Sequence, residues 1–225
     1  MKVYFDNAAT TPIRKEVIDV MVGSMELNYG NPSSSHGFGR TAKSAIETAR
    51  KSVASRLNCE AQEIIFTSGG TESDNMILRC GVKDLGIKTI ISSRIEHHAV
   101  LHALTSLETE GVEILYVDLD LEGSPDLVHL EKLLTATATR KLVSLMHVNN
   151  EIGNILSLKK VGDLCKLNNA YFHTDAVQGV GHFPVDLKEI SIDFLSSAAH
   201  KFHGPKGIGF SFVRKNSGLD SFIVG

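Results

Sequence analysis

Three clusters in this sequence combine residue types and spacings that can do chemistry. Ser68-Gly69-Gly70-Thr71-Glu72-Ser73-Asp74-Asn75 joins two glycines and several hydroxyls to the apolar-periodic Met76-Ile77-Leu78. Glycines let a backbone approach a ligand closely, N–H groups at a helix start attract an anion, and the Thr71 hydroxyl adds a donor. A phosphate is the natural guest, although a Gly-Gly turn feeding a capped helix is also a plain connection, and the motif is neither a Walker A loop nor GxGxxG. The second cluster is Tyr171-Phe172-His173 running into Thr174-Asp175-Ala176-Val177-Gln178, which sets a carboxylate and an amide three positions apart after a strand-like run. Asp175 there either holds a ligand cation or caps the next helix. The third, Ser196–Gly209, places Lys201 among small residues; a lysine enclosed by apolar walls loses charge stabilisation, and its free amine can form a Schiff base. Lys206, between Pro205 and Gly207, is the competing lysine and reads as a solvated turn residue.

A phosphate cradle, a cation-holding acid and an imine-forming lysine are together what pyridoxal 5′-phosphate (PLP) requires. That cofactor is an electron sink whose ring nitrogen must stay protonated, and a nearby carboxylate enforces this by raising the nitrogen's pKa. Asp175 is the candidate for that role. Histidines at 97, 98, 147, 173, 200 and 203 raise a zinc alternative. Their spacing does not favour it: there is no HExxH, and the HxxH of His200 and His203 runs straight into glycine and proline. No metal site is expected.

Such residues need a scaffold to bring them together. Short runs rich in β-branched residues occur at Glu63–Thr67, Thr89–Ser92, Glu113–Val117, Leu142–Met146, Tyr171–His173 and Phe194–Ser196. Between them lie helical patterns. Ala42, Ala45, Ile46, Ala49, Val53 and Leu57 share one helix face, as do Val100, Leu104 and Leu107, then Leu127, Leu130, Leu133 and Leu134, and finally Val161, Leu164 and Cys165. This alternation predicts an α/β fold, a mostly parallel sheet covered by helices on both faces. Ligands of such sheets collect where strands end and helices begin, which is where the three clusters fall.

Composition narrows the class further. The 225 residues are 42% hydrophobic and 22% charged, ordinary values for a globular protein. A net charge of −3 supplies no basic stripe for nucleic acid, and no apolar run is long enough to cross a membrane. Neither nucleic acid nor membrane is an expected partner. Cys59, Cys80 and Cys165 form no CxxC pair and read as reduced, packed thiols, which with the polar N-terminus points to the cytoplasm.

Seven blocks in order, FDNAATTP (Phe5–Pro12), GNPSSSHGFGR (Gly30–Arg40), FTSGGTESDN (Phe66–Asn75), EHHAV (Glu96–Val100), MHVNNEIG (Met146–Gly153), HTDAVQ (His173–Gln178) and AHKFHGPKGIG (Ala199–Gly209), resemble the cysteine desulfurases. These are fold-type I PLP enzymes of the class V aminotransferase group. The resemblance implies a PLP-dependent transferase large domain with a sheet of the seven-stranded type. It implies that Lys201 carries the cofactor covalently, Asp175 pairs with its ring nitrogen, and His97 stacks on the ring and transfers protons. Gln178 and Asn150 then match residues near the phenolic oxygen, and Gly70, Thr71 and His200 match phosphate contacts. The family's serine three residues before the lysine is Ala198 here, which implies either weaker phosphate binding or Ser197 as the substitute for that contact.

The resemblance also implies domain limits and partners. Residues 1–12 are expected to reach toward a small domain or the active site, and residues 13–225 to form the PLP-binding large domain, cut short before the family's nucleophilic cysteine and C-terminal small domain. The apolar, strand-like tail Ser221–Gly225 fits that expectation of an early stop. The implied reaction converts L-cysteine to L-alanine with sulfur passed to an enzyme cysteine as a persulfide. Sulfur then goes to an iron–sulfur scaffold or to a relay serving tRNA thiolation, from a homodimeric enzyme. Rival readings are another class V enzyme, such as a selenocysteine lyase or an aminotransferase, and a non-catalytic partner that keeps the fold.

Overall fold

A computed structural model describes residues 1–223; Val224 and Gly225 lie outside the described residues. Its elements alternate as expected. Two helices, α1 (Lys15–Leu27) and α2 (Gly37–Leu57), precede the first strand. There follow β1 (Ile64–Thr67), α3 (Gly70–Leu85), β2 (Thr89–Ser92), α4 (His98–Thr109), β3 (Glu113–Tyr116), α5 (Leu127–Ala136), β4 (Lys141–Ser144), α6 (Leu158–Leu167), β5 (Tyr171–Asp175), β6 (Phe194–Ala198) and β7 (Gly209–Val213). The seven strands form one sheet in the order β1-β7-β6-β5-β4-β2-β3. From β6 to β3 all neighbours are parallel, and β7 runs antiparallel to both β6 and β1.

Side chains alternate across each strand, so one residue of every pair faces each layer of helices. Ile90, Leu142 and Phe194 join Ile77 and Leu78 of α3 and Val100 and Leu104 of α4 in one core. Their neighbours Ile91, Val143 and Leu195 join Leu57 of α2, Leu130 and Leu134 of α5 and Val161 of α6 in the other. Burial on both faces explains why these strands read as continuous apolar runs.

Three expectations differ in detail. The GFSFV run of β7 was not among the expected strands, because it follows directly on a turn-rich stretch that reads as loop. The apolar face of α2 packs at its two ends and not along its middle: Ala42, Ala54 and Leu57 are buried, whereas Ile46 is 38% exposed. Ser221–Ile223, the described part of the tail expected to be strand-like, forms no strand.

Candidate active site

The C-terminal ends of β5 and β6 and the start of α3 enclose a cavity of about 430 Å³. It is lined by Gly70, Thr71, Asp74, His97, Asn150, Asp175, Gln178, Ala198, His200 and Lys201, together with Asp6, Ala8 and Ala9 of the N-terminal segment. Sequence reasoning therefore named residues that converge in space from five separate stretches. Ser197 is the exception. The strand alternation that turns Ala198 toward the cavity sends Ser197 to the opposite face, where its hydroxyl is buried without a hydrogen-bond partner. It cannot substitute for a phosphate contact at this cavity.

Gly70 opens α3 with no side-chain cap on the helix, so its first turn presents backbone N–H groups next to Thr71. A glycine is required by contact: a Cβ there would lie 2.6 Å from Val177 Cγ2. Gly209 of β7 is required for the same reason, since a Cβ would meet the Ser197 carbonyl at 2.3 Å and Gly69 Cα at 2.8 Å. These two close approaches set the glycine turn against the ends of β5 and β6.

Asp175, the last residue of β5, is 4% exposed and accepts the Val177 N–H at 2.9 Å. Burial pushes its carboxyl up to about 7, and the neighbouring Asp74 adds to the rise. Lys201 follows β6 in a short 3-10 turn (Ala199–Lys201). Burial lowers its pKa, opposed by Asp175 and Asp6, so the amine is easier to obtain uncharged than a surface lysine's. Its Nζ donates to the carbonyls of Ala8 and, at 3.0 Å, Ala9. Lys206 lies elsewhere, exposed and outside the cavity lining.

His97 caps α4, its Nδ1 accepting the Ala99 N–H at 3.1 Å. The neutral ring therefore carries its proton on Nε2, the nitrogen left to exchange it. Gln178 Nε2 donates to the Ala8 carbonyl at 2.8 Å, and Asn150 Nδ2 to Glu151 Oε1 at 2.6 Å. Residues 8–12 are stitched to the lysine turn. The Thr11 N–H and hydroxyl both donate to the His200 carbonyl at 2.8 Å, the His203 N–H donates to Thr11 Oγ1 at 2.7 Å, and His200 Nδ1 lies 3.1 Å from Thr10 Oγ1.

Two acids escaped the sequence reasoning. Asp74 and Glu96 are both buried, and burial pushes them up to about 7 and about 8. Asp74 could have been found, because it stands in phase with Ile77, Leu78 and Gly81 on the apolar stripe of α3, where an acid is out of place. Chemically, the cavity offers an uncapped helix start at one side, a carboxylate floor and a partly buried amine. That donor set fits a phosphorylated aromatic aldehyde with a basic ring nitrogen.

A seven-stranded, mostly parallel sheet with a lysine after one strand end and an acid at the next defines the class: this is the fold of PLP-dependent transferases. Residues 3–221 match the family described as Aminotransferase class-V, and the chain belongs to that family. It is 48% identical over 229 residues to the "Cysteine desulfurase IscS" of Methanosarcina thermophila, covering 99% of this chain and 55% of the relative. Among solved structures, one described as "NIFS-LIKE PROTEIN" superposes with a TM-score of 0.95 at 41% identity, covering all of this chain and 62% of the other. Another, "SspA in complex with cysteine", gives 0.91 at 33% identity, covering 99% and 65%. The chain thus spans a little over half the length of the curated relatives it matches. PLP dependence is general in this family.

Proposed function

We propose that this chain is the PLP-binding part of a cysteine desulfurase. The observation that carries the reading is Lys201, an amine of lowered pKa, facing the same cavity as the buried Asp175 and the uncapped start of α3. When bound, PLP supplies an electron sink for the substrate's carbon skeleton. Lys201 would hold the cofactor covalently and, once released, move the α-proton. Asp175 would keep the ring nitrogen protonated, and His97 would stack on the ring and exchange a proton through Nε2. Gly70, Thr71 and His200 would hold the phosphate, and Gln178 and Asn150 the phenolic oxygen. Burial lowers the His200 pKa, helped by Lys201 and Lys206, which suits a neutral donor to phosphate.

The substrate proposed is L-cysteine, supported by the desulfurase relatives and by the neighbour solved with cysteine. In the reaction the Cβ–S bond breaks, an attacking thiolate gains the sulfur as an S–S bond, and the carbon skeleton keeps the electron pair and takes up protons to become L-alanine. Cys59, Cys80 and Cys165 do not suit that thiolate. Burial pushes Cys59 up to about 11 and raises the other two as well, and none lines the cavity. The nucleophile is therefore a cysteine beyond these three.

We further propose a cytoplasmic homodimer delivering sulfur to an iron–sulfur scaffold or sulfur-relay protein, with residues 1–12 as a segment closing the active site and residues 13–225 as the large domain. The free thiols fit the reducing compartment, and no helix among the described residues is long and apolar enough to cross a membrane. The test is product analysis on protein that includes that further cysteine: loaded with PLP and given L-cysteine and dithiothreitol, it should give alanine and sulfide in equal amounts, which the 225-residue chain alone should not. Pyruvate, or amino transfer to an added keto acid, would point instead to another class V chemistry.

A further inference from the structure

The roles proposed above leave one buried acid without a task. Asp74 is 1% exposed, yet neither carboxylate oxygen has a hydrogen-bond partner. Buried carboxylates are ordinarily hydrogen-bonded or paired with a cation, so an orphaned one in a cavity wall marks an unmet requirement for a ligand. The polar side chains beside it are Ser196, whose hydroxyl eases its ionisation without meeting hydrogen-bond geometry, and His173 of β5, whose Nε2 lies 3.4 Å from Asp74 Oδ1. That imidazole is already engaged, with Nδ1 2.9 Å from Ser144 Oγ and Nε2 3.1 Å from Ser196 Oγ. Burial also lowers its pKa to about 4, so it is neutral and brings Asp74 no charge.

Asp74 and Asp175 line one cavity, the first from α3 and the second from the end of β5, on the same face of the strand as His173. Burial makes both harder to ionise, Asp74 raises Asp175 further, and Glu96, on the connection from β2 to α4, adds a third buried carboxyl within electrostatic reach. The groups facing this floor from the other packed elements are His97 at the start of α4, Lys201 after β6 and Asp6 of the N-terminal segment. None is a buried, fixed cation. The Lys201 amine is directed to the Ala8 and Ala9 carbonyls. Two carboxylates in a low-dielectric pocket cannot both ionise unless a positive charge arrives between or beside them.

We propose that Asp74 is a positioning residue acting through Asp175, its negative charge making the cavity floor select a ligand whose ring nitrogen carries a proton over one whose ring is neutral. The inference rests on the reading of this cavity as a PLP site. Asp175 alone can hold a ring N–H; Asp74 deepens the negative potential, so the proton stays on the ring rather than passing to the protein.

The test compares PLP with 1-deaza-PLP, in which CH replaces the ring nitrogen, by equilibrium dialysis against the wild type and Asp74→Asn. The wild type should prefer PLP, and Asp74→Asn should shrink that preference by on the order of tenfold while binding the deaza analogue no worse. A purely structural role would weaken both ligands alike and leave the ratio unchanged, which overturns the proposal. Thermal melts of the ligand-free variants verify folding, and Asp74→Ser, which removes the charge with a smaller side chain, carries the same ratio if the amide variant does not fold. A wild type that binds neither ligand overturns the PLP reading itself, whereas a wild type that binds both with a ratio insensitive to residue 74 overturns only the role of Asp74.

Discussion

Helices α1 and α3 each carry apolar side chains but meet opposite fates. In α3, Met76, Ile77, Leu78, Cys80 and Leu85 are buried, and so are the polar Ser73 and Asp74. In α1 no residue is buried, and Val20, Met25 and Leu27 are each at least 70% exposed. Helix α3 is packed along its apolar stripe and carries an acid, Asp74, whose oxygens lack partners, whereas α1 leaves apolar side chains exposed. On the proposed reading a charged ligand meets α3 at its cavity end, whereas the apolar face of α1 stays open to solvent. The proposed site thus lies where packing is complete enough to hold an uncompensated charge in place.

Changes at the cavity should break this contrast most severely. Lys201→Ala should abolish any borohydride-reducible PLP adduct, read by intact mass, while leaving the far-UV circular dichroism unchanged. Asp175→Ala should weaken PLP binding by on the order of a hundredfold, since a ring cation loses its direct partner. Gly70→Ala forces a Cβ to within 2.6 Å of Val177, so either α3 or that side chain must shift. A loss of roughly 1–3 kcal/mol in urea unfolding and weaker PLP binding are expected together.

The pH dependence of stability sharpens the same point. Asp74, Asp175 and Glu96 have folded pKa values of about 7, 7 and 8, all above their unfolded values. Between the unfolded and folded values the native state binds more protons, so stability is fully present below the unfolded values and is lost as pH rises through about 7 to 8. The ligand-free protein should therefore melt at a lower temperature at pH 8.5 than at pH 5.5. Bound PLP should narrow that difference, and Asp74→Asn should flatten part of it. The smallest effect belongs to α1: Val20→Ser and Met25→Ser should change stability by less than about 0.5 kcal/mol yet reduce self-association in light scattering.

Most of the scaffold was legible because buried parallel strands announce themselves as apolar runs. The strands β1 to β6 fall on such runs with ends moved by a residue or two; β5, for example, extends to include Asp175. β7 was not, since its Gly209 and its register depend on contact with Gly69 and Ser197, more than a hundred residues away in one case and invisible in composition. At the site, Lys201 and Asp175 could be read from local setting. Ser197 misled because a single step along a strand reverses the face, and only the pairing of β6 with its neighbours fixes that phase. Asp74 lay inside a motif read as a phosphate loop; its isolation becomes visible only when α3 is laid against His173 of β5. The hydrogen bonds from residues 8–12 to the lysine turn are likewise tertiary facts with no local signature.

The central claim is a working cofactor cavity built on Lys201. Its most direct test is to mix the purified chain with PLP, reduce with borohydride, digest and measure peptide masses. One phosphopyridoxyl adduct is expected, on the peptide carrying Lys201 and at that residue. An unmodified Lys201 peptide, or an adduct on Lys206 instead, would contradict it.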